Sequence, residues 1–320
     1  MLVPEGVAHV SIHDPAPWRA LDVSGRDVNP IPSMITEDEA LYLHWLARYR
    51  YRGLGAIVDG GPLLGGSTVA FAEGLRRNPK IDDPRGRIHS YDLFEYTPFM
   101  TRIFKGRKAP APGASLLPEF QRNVRPWHAS IAVYPGDIRD RRWTGGPIEI
   151  LFIDLAKTWD IQRHLLREFF PHLIPGVSVV VQQDYFFVSC YWIHLVMEAL
   201  GDYFRVSAMP EGPTLAFDLV APIPPHLLQR DYEHAFTRDE AVALMDRSLA
   251  RFTGSRRLVA ETAKVSLLLA YGDVPAAQQL LAAIRSAPAF DARVGIDWDK
   301  AASRVQAASE RPSRAGAIPA

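Results

Sequence analysis

GAIVDGGPLLGGST, residues 55–68, runs from a short apolar segment through one acidic residue into a loop with four glycines in seven positions. Near-continuous apolar character is that of a strand covered on both faces. The loop after it suits either of two readings: a tight strand-to-helix turn, or backbone that lies close to a nucleotide-like ligand. STVAFAEGLRRN follows as a helix, so the stretch is predicted to be one strand–turn–helix unit of an α/β domain.

The same grammar repeats downstream. RIHSYDLF, ASIAVYPGD, IEILFIDLA and SVVVQQDYF are further apolar runs, with helical patterns in WDIQRHLLREFFPHL and YWIHLVMEALGDYF. Alternating strands and helices imply right-handed crossovers and a doubly wound, mostly parallel sheet. FRVSAMP and TLAFDLV, on either side of EGP, read instead as an antiparallel hairpin that closes a seven-stranded sheet. Upstream, TEDEALYLHWLARYRY offers Thr36 as a helix N-cap with Glu39 three residues on, the pattern of a capping box. Residues 1–35 read as an N-terminal arm and 36–221 as the sheet domain. A helical subdomain is predicted over 226–305, with helices in TRDEAVALMDRSLARF, SRRLVAETAKVSLLLAYG and DVPAAQQLLAAIRSA and no 34-residue repeat. A disordered tail is expected over 306–320.

Bulk properties exclude several classes. Lys+Arg and Asp+Glu balance at 36 each, so no global field draws the chain to nucleic acid or an anionic membrane. The single cysteine, Cys190, cannot form an internal disulfide or a thiolate metal cluster. Neither a signal-peptide pattern nor an uninterrupted apolar run of membrane-spanning length is present, and the expectation is a soluble, cytoplasmic protein.

In a doubly wound sheet, ligands sit beyond the carboxyl ends of the strands near the switch point. Those ends carry Asp59 with Gly60, Gly61, Gly65, Gly66 and Ser67, then Asp92, Asp137, Asp154, and Gln183 with Asp184. Over roughly residues 40 to 220 this pattern resembles the class I S-adenosylmethionine-dependent methyltransferase superfamily. VDGGPLLGGST is similar to its glycine-rich first motif and SYDLF to its ribose-binding strand end. IEILFIDLAKTW with LIPGVSVVVQQDY is similar to the fourth and fifth strands of macrocin-type and other small-molecule O-methyltransferases.

The resemblance implies that S-adenosylmethionine is held by Asp59, Gly60, Gly61, Gly65, Gly66, Ser67 and Asp92, with Asp137 facing the adenine. It further implies a catalytic Asp154 and Lys157, similar to catechol-type enzymes in which the Asp binds magnesium and the Lys is the base. Asp154, Gln183 and Asp184 would hold that metal, with magnesium as an optional second cofactor. The phrase departs from the family at Gln183, Ala156, Lys157 and Trp159, where relatives carry an acid, a carboxylate, a His and a Tyr. The implied activity is O-methylation of a small molecule or sugar hydroxyl, without a nucleic-acid partner; homodimerisation through the arm or the C-terminal helices is left open. Two other readings stay open: a non-catalytic binding or scaffold protein of the same fold, and an enzyme using NAD or a nucleotide-sugar. Against the second counts the absence of Gly-x-Gly-x-x-Gly.

Residues 97–130 are too long for a simple crossover and carry Arg102, Lys105, Arg107, Lys108, Arg122 and Arg125 against the single acid Glu119. They read as a lid over an acidic or phosphate-bearing substrate, or as a solvated basic face. His128, beside that segment, is a candidate alternative base. His164, His172 and His194 read as structural, since none has metalloprotease spacing. The serine of GGST lacks a nucleophile elbow, which argues against a hydrolase.

Overall fold

The computed structural model describes residues 16–104 and 106–310. Residues 1–15 of the expected arm, Lys105, and 311–320 of the expected tail lie outside the described residues. The chain order is α1 (Gly25–Val28), α2 (Glu37–Trp45), β1 (Ala56–Gly60), α3 (Gly66–Arg76), β2 (Ile88–Asp92), α4 (Leu117–Asn123), β3 (Ile131–Pro135), β4 (Ile148–Ile153), α5 (Trp159–Glu168), β5 (Val179–Gln182) and α6 (Tyr191–Ala199). Then come β6 (Phe204–Ala208), β7 (Leu215–Leu219), α7 (Pro225–Gln229), α8 (Arg238–Leu249), α9 (Gly254–Ala270), α10 (Val274–Ser286) and α11 (Ala292–Ser309). These elements form two compact units. The first runs up to Asp184 and resumes with Leu200–Gln229; the second combines Tyr185–Ala199 with the chain from Arg230 onward. A cut near residue 221 therefore misses one excursion: α6 packs with α8 and α9 and belongs to the second unit.

In the first unit, seven strands form one sheet in the order β3-β2-β1-β4-β5-β7-β6. Strands β1 to β5 run parallel, and β7 is antiparallel to both β5 and β6. The chain winds outward from β1 through β2 to β3, then returns to lay β4 on the other side of β1, so the switch point falls between β1 and β4. This is the class I methyltransferase-like fold. Every residue of β1, β4, β5 and β7 is buried, which explains why those runs lack polar alternation.

Helix α2 is started by the capping box expected from Thr36 and Glu39: Glu39 N–H donates to Thr36 Oγ1 (3.1 Å) and Thr36 N–H to Glu39 Oε2 (2.7 Å). The box has further partners. Thr214 Oγ1 donates to Glu39 Oε1 at 2.5 Å, and Thr36 Oγ1 to the Glu211 carbonyl at 2.6 Å, so the start of α2 is tied to the β6–β7 turn. Gly212 in that turn has φ +126°, and a Cβ there would lie 2.5 Å from Glu39 Oε1, so both its backbone conformation and its surroundings call for glycine.

The connection from β3 to β4 carries only a short 3₁₀ turn, Ile138–Asp140. Aromatic rings cover the adjoining sheet face: Tyr91 stacks on Tyr134 (centroids 4.5 Å apart), and Trp143 packs on His89 (4.9 Å) and Phe169 (5.9 Å). Large rings bury enough area to stand in for a helix there. The described residues of 97–130 are likewise built rather than loose. They form 3₁₀ turns on either side of α4, with Phe104, Phe120 and Val124 buried together with Leu64, Phe94 and Tyr96. Phe104 and Phe120 are thus core residues, and Arg107 pairs with Glu119 at 2.7 Å.

The second unit gathers α6 and α8 to α11. His194 Nδ1 and Tyr185 Oη both meet the buried Ser248 Oγ, at 2.7 and 2.6 Å, and Arg251 pairs with Glu198. Burial holds the His194 imidazole down to about 3, in keeping with a structural histidine. Helix α11 has no counterpart in the sequence reading and runs through 306–309, part of the expected tail. Its signals are the N-cap Asp291, which accepts from Val294 N–H at 2.8 Å, and buried Val294, Ala301 and Val305 at helical spacing. Among the described residues no helix is long and apolar enough to cross a membrane.

Candidate functional site

The carboxyl ends of the parallel strands open on a cleft of about 380 Å³, within the size range of small-molecule sites. Gly61, Asp92, Asp137, Asp154 and Lys157 all line it. With Ser67, the structure thus gathers six of the residues singled out in the sequence onto one surface.

At the β1 end the four glycines divide. Gly61, at φ +92°, lies on the cleft, and a Cβ there would sit 2.6 Å from the Asp154 carbonyl oxygen. Its bareness is required by the neighbouring strand end. Gly60, Gly65 and Gly66 do not line the cleft: added methyls would meet Leu155, Val124 and Ser33 respectively. At these three positions the close neighbours are protein packing contacts.

Asp59 also stands off the cleft lining. Its side chain is fully buried off the cleft and accepts from Ser67 Oγ (2.8 Å) and Thr68 Oγ1 (2.5 Å), which ties the first turn of α3 to β1. Burial pushes its carboxyl up to about 7, with the nearby Asp92 charge adding to the rise and the two hydroxyls opposing it. Ser67 borders the cleft, but its hydroxyl is committed to Asp59.

Asp92 is the hinge pin of the glycine loop. Leu63 N–H donates to its Oδ2 (2.8 Å) and Phe94 N–H to its Oδ1 (2.7 Å). Both donors are non-glycine residues in the left-handed region, at φ +55° and +52°, a conformation that must be held by its surroundings. A carboxylate has about four lone-pair sites, so the two bonds leave capacity for a diol facing the cleft. Burial raises the Asp92 carboxyl above its ordinary range, and the two backbone donors oppose the rise.

Asp137 also lines the cleft but spends its carboxylate locally. It accepts from Arg139 N–H at 2.9 Å and from the Arg139 guanidinium at 2.5 Å, a pairing that holds it below its ordinary range.

The β4 end carries the charge cluster. Lys157 N–H donates to the Leu155 carbonyl (2.7 Å), a tight turn that folds the side chain back over the strand end. Lys157 Nζ then donates to Asp154 Oδ1 at 2.9 Å and to Asp184 Oδ2. One end of the Gln183 amide faces only acceptors and the other only donors, which assigns the nitrogen to the acid side, donating to Asp184 Oδ1 (3.1 Å) and Asp154 Oδ1 (3.0 Å). Asp154 Oδ2 has no hydrogen-bond partner among the described residues. Burial raises the Asp154 carboxyl above its ordinary range; Lys157 opposes this and Asp184 adds to it. Burial acts to lower the Lys157 ammonium, yet the two carboxylates outweigh it and hold the group above its ordinary range.

The expected magnesium site does not fit these residues. Magnesium needs a near-octahedral set of oxygens, whereas here an ammonium bridges the acid pair and the amide between them presents N–H. His128 is not brought to the site either: it is exposed, bonds the Arg125 carbonyl through Nδ1 (3.0 Å) and does not line the cleft. The long basic segment contributes Thr97, Phe99 and Met100 to the wall but none of its described cations; Arg139 and Lys157 are the cations on the lining.

Sequence reasoning missed Ser33, Met34 and Ile35 of the arm, which also border the cleft. They have no periodic pattern to mark them. Arg139 could have been found, because an Arg two residues after a turn aspartate commonly folds back on it.

No family model and no curated protein matches the chain. Among solved structures it is similar to CalS11, a calicheamicin methyltransferase (18% identity, TM-score 0.38, covering 57% of this chain and 76% of that one). The apo structure of CalS11, described as a TDP-rhamnose 3'-O-methyltransferase, gives 18% identity and a TM-score of 0.39, with 57% and 78% covered. A putative RNA methyltransferase, PH1948 from Pyrococcus horikoshii, gives 12% and 0.35, with 66% and 92% covered. At such TM-scores the likenesses carry no chemistry, and the class I methyltransferase-like assignment rests on the strand order of the sheet.

Proposed function

We propose that this protein is an S-adenosylmethionine-dependent methyltransferase acting on a hydroxyl of a small molecule or sugar. The observation that carries the reading is Asp154. It stands on the cleft wall with one oxygen fixed by Lys157 and Gln183 and the other without a partner, across the switch point from Asp92. When bound, the cofactor supplies an electrophilic methyl group. Asp92, with lone pairs to spare, is the residue to hold the ribose diol, while Leu93 and Ile138 offer apolar walls for the adenine. Asp154 Oδ2 would take the acceptor hydroxyl proton while the hydroxyl oxygen gains the methyl group and the methyl–sulfur bond breaks to leave S-adenosylhomocysteine; the proton would then pass to water. A carboxyl raised above its ordinary range by burial is a stronger base for that exchange.

The roles of Asp154 and Lys157 are accordingly reversed from the catechol-type expectation. An ammonium clamped between two carboxylates is a poor base, but it keeps Asp154 oriented. Isothermal titration with S-adenosylhomocysteine tests the reading: saturable binding in wild type, weakened in Asp92→Ala, is expected. Absence of binding at millimolar ligand would sink it and favour a scaffold role for the fold.

A further inference from the structure

We propose that Lys157 is a tethered cation occupying the position between Asp154 and Asp184 where a divalent ion would otherwise sit, so that this carboxylate pair is closed to metals in the wild-type protein.

Asp154 and Asp184 present four carboxylate oxygens between them. Asp154 Oδ1 takes the Lys157 ammonium (2.9 Å) and the Gln183 amide nitrogen (3.0 Å); Asp184 Oδ2 takes the same ammonium and Asp184 Oδ1 the same amide (3.1 Å). Three of the four oxygens are therefore turned toward two nitrogens, and only Asp154 Oδ2 looks elsewhere. A divalent ion at the same point would need those oxygens redirected to it, with further oxygens completing its shell. It would also stand beside a fixed positive charge, and the adjacent amide offers it N–H in place of a carbonyl.

Local sequence builds the arrangement. The tight turn Asp154-Leu155-Ala156-Lys157 returns the lysine over the strand end, and Ala156 at its third position is fully buried. Asp184 arrives from the neighbouring parallel strand, β5, just beyond Gln182↔Ile153 in the register. An ammonium on a covalent stem cannot exchange with the medium, whereas a bound ion can. The charge beside Asp154 is thereby independent of metal supply.

The inference rests on the Asp154 site of the proposed function, but its test reads metal occupancy directly and needs no turnover. Electron paramagnetic resonance with Mn²⁺ would be recorded on wild type, Lys157→Ala, Asp184→Asn and the Lys157→Ala/Asp184→Asn pair. The expected result is no Mn²⁺ binding in wild type that Asp184→Asn changes, one new site in Lys157→Ala, and loss of that site in the double variant. The trio Asp231, Glu233 and His234, with Glu233 half-buried, the other two exposed and ligand atoms within 4.8 Å of one another, is separated by this design because Asp184→Asn leaves it untouched. Wild-type Mn²⁺ binding that Asp184→Asn abolishes would overturn the proposal, as would a folded Lys157→Ala that gains no site. Should Lys157→Ala fail to fold, the wild-type and Asp184→Asn titrations still decide it. If the cofactor titration fails while this pattern holds, the methyl-transfer reading falls and the tethered cation stands.

Discussion

The two acidic ends of the cleft are held in different ways. Asp92 is gripped by backbone: two N–H groups, from Leu63 and Phe94, fix both of its oxygens. Asp154 is gripped by side chains, Lys157 and Gln183, on one oxygen alone. Backbone partners cannot be exchanged without refolding the loop, whereas side-chain partners can be replaced one at a time. The first end therefore belongs to the architecture and should govern cofactor binding; the second is adjustable and should govern chemistry.

The largest effect is expected at the adjustable end. Asp154→Asn keeps the shape but removes the proton acceptor, and should lower kcat by about 10²- to 10⁴-fold, the usual worth of a general base. Its affinity for S-adenosylhomocysteine should stay near wild type. An equal loss in binding and turnover would break the comparison.

At the architectural end the effect should fall on stability and binding instead. Asp92→Ala strips two charge-assisted bonds, each worth about 1.5–3 kcal/mol, from residues held at positive φ. Melting temperature and cofactor affinity should both fall, measured by thermal shift and calorimetry. A variant that bound normally but turned over slowly would reverse the assignment of the two ends.

Asp59 stands apart from both, acting on the pH dependence of stability and not on the cofactor. Its folded-state carboxyl is raised to about 7 against about 3.9 in an unfolded chain. The folded form thus retains the proton where the unfolded form has lost it. This contribution to stability is fully present below the unfolded value and is lost as pH rises from about 4 through about 7. Asp59→Asn should flatten that part of the melting-temperature profile and leave cofactor affinity unchanged; a profile as steep as wild type would show the carboxyl to be ionised in the fold.

Much of the architecture was legible because it is written in local pattern. Unbroken apolar runs marked the buried strands, EGP marked the hairpin, and Thr36 with Glu39 marked a helix start. The site was legible only as a set of strand ends. Which side of the sheet Asp59 faces depends on where β1 stops relative to α3, and the residues 55–68 are compatible with either side. Asp154 and Lys157 have the same spacing whether the lysine is a free base or a clamped cation. What decides between them is Asp184, which arrives 27 residues after Lys157. The arm residues on the cleft wall had no periodicity to announce them, and Glu39 meets Thr214 across 175 positions.

That last contact bears on how the protein is made. The start of α2 is among the first parts of the sheet unit to be synthesised, and the β6–β7 turn that clasps it is among the last. Contacts of such long sequence separation close late, because loop entropy must be overcome before they reward it. The buried Glu39 therefore has only its own capping box for company until Thr214 arrives. During synthesis the excursion through Tyr185–Ala199 comes first, so the sheet unit can complete its fold only after part of the other unit has already left the ribosome.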